Sequence, residues 1–175
     1  MIKTSKIIEV PVSIETRNIA YTKSDEMGKL NNSILVGKGN EVGFIGEEVV
    51  KKYLTDNTSG EIERGNHYDF DFIFNGKKFE VKTKLTTVQP KSSYDCSVAN
   101  FNPNQKCDYY IFARVHEFWE KAWILGYMTP KEYYEQAVFM KKGEIDPSNN
   151  FTVKADCYNV KIINLHDIRD LIKSP

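Results

Sequence analysis

The sequence predicts an α/β fold in which a mixed central β-sheet is flanked by helices. Three observations predict it. Residues 40–54 carry apolar side chains at helical spacing, residues 68–84 alternate aromatic and polar side chains about a turn, and residues 108–115 and 122–128 are apolar almost throughout, as strands buried on both faces are. A chain of 175 residues, 41% hydrophobic and 13% aromatic, is long enough for one domain with a substantial core. We divide that domain into an N-terminal arm (1–36), a core (37–128) and C-terminal additions (129–175) comprising a helix, a strand and a short helix.

In the arm, Ile7-Ile8-Glu9-Val10-Pro11-Val12 reads as a short strand that its proline confines to a sheet edge. Thr22-Lys23-Ser24-Asp25 fits a capping box for a short helix ending near Leu30. Asn40 is placed as the N-cap of the 40–54 helix, and Val42, Ile45, Gly46, Val49, Val50 and Tyr53 share its apolar stripe. Gly43 and Gly46 read as points of close approach to neighbouring elements. Gly37-Lys38-Gly39 fits neither the dinucleotide nor the Walker spacing. Glu47 falls at the border of the stripe beside Leu54 and reaches inward, whereas Glu48 points outward.

A short strand is expected over residues 61–64, followed by the hairpin. If Asn75-Gly76 is a two-residue turn, Phe72 faces Phe79, Asp71 faces Glu80 and Asp69 faces Lys82. Strand side chains alternate between faces. One face then carries Phe70, Phe72, Phe74, Phe79 and Val81 as core, and the other carries Asp69, Asp71, Glu80 and Lys82. Like charges across a ladder repel, so a hard divalent cation is the natural counter-charge for these carboxylates. Asp71 is preferred as its ligand because it opposes Glu80 directly; Asp69 is the alternate.

Residues 85–107 are polar and proline-marked, with a weak helical pattern at 92–99. The strands at 108–115 and 122–128 follow. Thr129 as N-cap and Pro130 at the first position start a helix that Gly143 is placed to stop. Residues 158–165 read as a last strand and 167–172 as a closing helical turn. Trp119, Trp123, Tyr133 and Tyr134 are assigned to the core.

Lys plus Arg balances Asp plus Glu at 24 each, so no global basic charge marks a nucleic-acid binder. Locally, residues 77–91 hold Lys77, Lys78, Lys82, Lys84 and Lys91 against Glu80 alone, and a local patch is enough to bind a polyanion. Three cysteines, Cys96, Cys107 and Cys157, without CxxC spacing, speak against a disulfide framework or zinc site and for a reducing, cytoplasmic setting. No apolar run reaches membrane-spanning length and the N-terminus has no signal-peptide pattern. A Cys–His nucleophile, Cys107 or Cys96 with His116, is the weaker catalytic reading.

A helix with an inward glutamate, a short strand, and a hairpin carrying Asp and then Glu80-Val81-Lys82 together resemble the PD-(D/E)XK nuclease superfamily, the restriction-endonuclease-like fold, over about residues 40–115. The proline of the family's name is not present before the Asp, where Tyr68 and Phe70 stand. The resemblance implies an αβββαβ core with a helix between the Glu-x-Lys strand and the next core strand. It also implies a Mg²⁺-dependent DNA endonuclease leaving 5′-phosphate and 3′-hydroxyl ends, with Mn²⁺ able to substitute. Asp71, Glu80 and Glu47 would hold metal, Lys82 would act on the attacking water and the developing charge, and Lys77, Lys78, Lys84 and Lys91 would meet DNA. By analogy a homodimer would cut both strands. The alternative expectation is a catalytically silent DNA- or protein-binding module on the same fold.

Overall fold

The structure, a computed structural model, describes residues 5–27, 40–66, 69–99, 106–147 and 150–173. Its central sheet takes its register from one turn. Asn75 and Gly76 adopt φ of 49° and 74°, the paired positive values of the turn whose twist matches a hairpin. Strands β3 (Phe72–Phe74) and β4 (Lys77–Thr86) therefore pair Phe72 with Phe79 and Phe74 with Lys77. Antiparallel β2 (Ile62–Arg64) flanks β3. On its other side β4 pairs in parallel with β6 (Tyr109–His116), setting Glu80 beside Tyr110 and Lys82 beside Phe112. Strand β7 (Lys121–Met128) and then β1 (Ile8–Pro11) complete a mixed six-stranded sheet among the described residues, in the order β1-β7-β6-β4-β3-β2.

One face of this sheet packs on α2 (Asn40–Asn57), which in turn carries α1 (Ile14–Met27). Phe44, Ile45, Val49, Val50 and Leu54 meet Phe72, Phe79, Val81, Ile111 and Ile124 there. The helix comes down onto β4 at Gly46, where a Cβ would lie 2.0 Å from Thr83 Oγ1. A Cβ added at Gly43 would meet no neighbouring element within 4 Å among the described residues, so the expected close approach holds at only one of the two glycines. We therefore expect Gly46→Ala to destabilise by about 1–3 kcal/mol through overpacking. Gly43→Ala should instead gain up to about 1 kcal/mol of helix propensity. Urea unfolding of the two variants side by side checks the pair, and equal effects would refute the contact.

The other face is covered by a second sheet of three strands, β5 (Asp95–Ala99), β11 (Cys157–Lys161) and β8 (Val138–Met140), in the order β5-β11-β8. Helix α3 (Pro130–Gln136) is wedged beside it. Its Tyr133 is fully buried, with the hydroxyl between Cys96 O at 2.8 Å and Tyr158 O at 2.7 Å. A small hairpin of β9 (Ile145–Asp146) and β10 (Phe151–Thr152) and a terminal α4 (Arg169–Lys173) follow in the C-terminal region. Among the described residues, no helix is long and apolar enough to cross a membrane.

Several expectations are corrected. Helix α1 starts not at Thr22 but at Ile14, because Ser13 Oγ accepts from Thr16 N at 3.0 Å and acts as the cap; the expected end near Leu30 lies outside the described residues. Residues 92–99 do not turn helical: Asp95–Ala99 is a strand held by β11. The crossover from β4 to β6 thus passes through the second sheet, and no helix occurs in its described part. Helix α3 ends at Gln136, not at Gly143, because residues from Val138 are drawn into pairing with β11. Gly143, with φ of 90°, sits in a later turn. The last strand stops at Lys161, and residues Ile162–Asn164 form a 3-10 turn. Trp123 and Tyr133 are core, but Tyr134 is 39% exposed. The short edge strand expected within residues 7–12 is present, as β1 at the end of the central sheet beside β7.

Candidate active site

The site begins where the hairpin ladder ends. Strand β3 pairs only with Lys77, Lys78 and Phe79. At the next residue the chain leaves the register, since Asp71 N donates to Phe79 O at 2.8 Å rather than continuing opposite Glu80. The Asp71 side chain replaces the missing backbone partner: Val81 N donates to its Oδ2 at 2.7 Å. A carboxylate is thereby fixed against the edge of β4 by the strand's own hydrogen-bonding need.

Glu80 and Lys82 project from β4 on the face that carries Tyr110 and Phe112. Glu80 is buried, and Lys82 Nζ donates to its Oε1 at 2.9 Å. The Lys82 ammonium also stands 5.8 Å from the centre of the Tyr110 ring. Glu47 comes from α2, on the opposite side of the sheet, and is only 3% exposed. Its Oε1 lies 2.9 Å from Lys51 Nζ and 3.3 Å from Lys23 Nζ. Both ammoniums reach Glu48 as well. Burial works against charge on Lys51, but the two carboxylates outweigh it and raise its pKa.

Asp71 links the two sides. Burial holds its pKa well above the usual carboxylate range, and the nearby Glu80 and Glu47 carboxylates push it further up. The Val81 N–H and the Lys82 ammonium oppose this and lose. The structure thus brings Asp71, Glu80, Lys82 and Glu47 into one electrostatic neighbourhood. It does so across the open edge of β4 rather than on a single face, which the hairpin count alone had implied. Among the described residues, no three His, Cys, Asp or Glu side chains converge into a ready cage for a metal ion.

Asp69, the alternate ligand, is bonded locally to Asn66: its Oδ2 accepts from Asn66 Nδ2 at 3.0 Å and its backbone N donates to Asn66 Oδ1 at 2.9 Å. Phe70 is also outside the core cluster, half-buried under Lys78 Nζ at 5.1 Å from its ring centre. Lys77, Lys78, Lys84 and Lys91 are all exposed. Lys84 follows Lys82 on the same face beside Arg114, while Lys77 and Lys78 sit at the hairpin turn. His67 and Tyr68 lie outside the described residues.

The sequence reading missed three contributors and gave a fourth residue, Cys107, only as a candidate nucleophile. Lys23 and Lys51 hold Glu47, Arg114 stands beside Lys84, and Cys107 lies near Glu80, Lys82 and Asp71. Lys51 was legible in principle, four residues after Glu47 on one helix; Lys23 comes from another helix and had no local signal. Burial, then Glu80, pushes the Cys107 thiol up to about 12, and burial alone leads the same shift to about 12 at Cys96. Neither thiol is a ready nucleophile, and His116 is engaged with Glu120 at 3.6 Å. Among known proteins, no family model and no curated sequence matches this chain.

Proposed function

We propose that the protein is a Mg²⁺-dependent DNA endonuclease built on a restriction-endonuclease-like core, with Mn²⁺ able to replace Mg²⁺. The observation that carries this reading is the placement of Asp71. The carboxyl is pinned to the β4 edge by Val81 N, beside Glu80 and Lys82, in a setting where two further carboxylates resist its ionisation. A fold gains nothing from that repulsion unless a cation relieves it. The order α2, β2, β3, β4 and then parallel β6 supports the core assignment, with a strand, β5, in the described part of the crossover where the family pattern has a helix.

Oxygen donors from Asp71 and Glu80 fit a hard divalent ion, and Mg²⁺ commonly takes one or two carboxylates and keeps water for its other positions. Such an ion, when bound, supplies Lewis acidity and an acidified water. The chain's own groups do the rest. Asp71 must give up its proton to bind, so its raised pKa makes occupancy pH-dependent. The Lys82 ammonium, held on Glu80 Oε1, is placed to orient the attacking water and offset negative charge developing on the phosphate. Lys51 and Lys23 fix the direction of Glu47, which would hold the ion, or a water on it, from the α2 side of the edge.

The ion pairs on Glu47 and Glu80 are also what a silent binding module would show, so the two readings part on chemistry. A cleavage panel over duplex, single-stranded and branched DNA, with Mg²⁺, Mn²⁺ or EDTA, should show metal-dependent cutting that EDTA abolishes and fresh metal restores. DNA binding without cutting under every metal would leave only the silent module.

A further inference from the structure

Beside Glu80 and Lys82 the sheet face is aromatic, and the aromatics lead outward. The Tyr110 ring that faces the Lys82 ammonium is buried, and its hydroxyl lies 3.3 Å from that of Tyr134. The Tyr134 ring centre is 5.2 Å from Tyr158, which is 5.1 Å from Phe139. Core packing accounts for Tyr110. It does not account for the outer rings, since Tyr134 and Phe139 are 39% and 40% exposed.

Two residues along β4 from Lys82, on the same face, Lys84 Nζ stands 5.3 Å from the ring centre of Phe151. Lys154 Nζ approaches the same ring at 5.9 Å, and Phe151 is 42% exposed. Arg114 is the register partner of Lys84. The partly exposed rings of α3 and β8 thus lie beyond Tyr110 at the Glu80 end of the candidate catalytic pair, and Lys84, Lys154 and the Phe151 ring lie at the Lys82 end, in a chain whose net charge is zero.

We propose that this strip receives an unpaired DNA strand, with bases stacked on Tyr134 and Phe139 and phosphates met by Lys84 and Lys154. This names the substrate class of the site and rests on the nuclease reading for the place of the scissile phosphate at Lys82. In a duplex the base faces are covered by their neighbours, so exposed rings can stack only on bases that are unpaired. The cations supply the complementary charge along the backbone.

The test is fluorescence anisotropy in EDTA with labelled oligo(dT) and a duplex of equal length, so that nothing is cut. Oligo(dT) should bind about tenfold or more tighter than duplex. Phe139→Ala and Tyr134→Ala should each lose about tenfold in oligo(dT) affinity while Phe139→Trp keeps it. Duplex binding that equals or exceeds oligo(dT) binding overturns the proposal, as does unchanged oligo(dT) binding in both alanine variants. The nuclease reading fails separately. Ring-dependent oligo(dT) binding with no cutting under any metal defeats that reading and leaves the strip, whereas Lys82-dependent cutting of duplex with no oligo(dT) preference does the reverse.

Discussion

Lys82→Ala is expected to lower metal-dependent DNA cleavage by about two to three orders of magnitude while leaving the fold intact. Removing one preorganised charge aimed at a developing oxyanion has an effect of that size. The side chain is partly exposed and its Nζ contacts Glu80 Oε1 at the surface of β4, so its loss opens no core cavity. The effect should fall on kcat rather than KM, because the ammonium acts on charge that builds up in the transition state. Divalent-metal affinity should hold or rise, since a competing cation has left Glu80. Single-turnover cleavage, far-UV circular dichroism and Mg²⁺ titration on one preparation separate these outcomes. Full activity in the variant would refute the role assigned to Lys82.

How much of this was legible depended on how local the cause was. The hairpin was, because Asn75-Gly76 dictates its own turn and the turn dictates the register. Glu47 was, because helical phase places it beside Leu54 and both are buried. Only the last turns of helix α1 were, since its buried residues are Thr16, Ala20 and Ser24, which leave no apolar period to mark its start. The strand at Asp95–Ala99 was hidden for a different reason. Its partner, Cys157–Lys161, lies far along the chain, and pairing at that separation leaves no trace in a short window. At the site, residue identities could be read but not their arrangement. That Asp71 departs from the ladder and stands at an edge between Glu47 and Glu80 depends on where β3 stops, which no spacing records.

The edge position leads to the second large effect, in which stability and activity should move in opposite directions. Asp71 has a folded pKa above its unfolded value, which for an aspartate is about 3.9, because of burial and then Glu80 and Glu47. Between those two values the folded chain keeps a proton that the unfolded chain has released. Stability without metal should therefore fall as pH rises from about 4 through the folded pKa. Asp71→Asn removes that charge yet keeps an oxygen for the Val81 N–H, so its stability profile should lose this descent. At neutral pH its Tm should exceed the parent's by roughly 2–4 °C for each kcal/mol of repulsion relieved. Asp71→Ala is the control, because it also deletes the acceptor and should forfeit about 1–3 kcal/mol. Mg²⁺ should stabilise the parent but not Asp71→Asn, and Asp71→Asn should not cut DNA. Thermal melts across pH with and without Mg²⁺ decide it: a lower Tm for Asp71→Asn at neutral pH would mean the carboxylate serves the fold. The expected rise would mean that its charge is tolerated for the sake of the site.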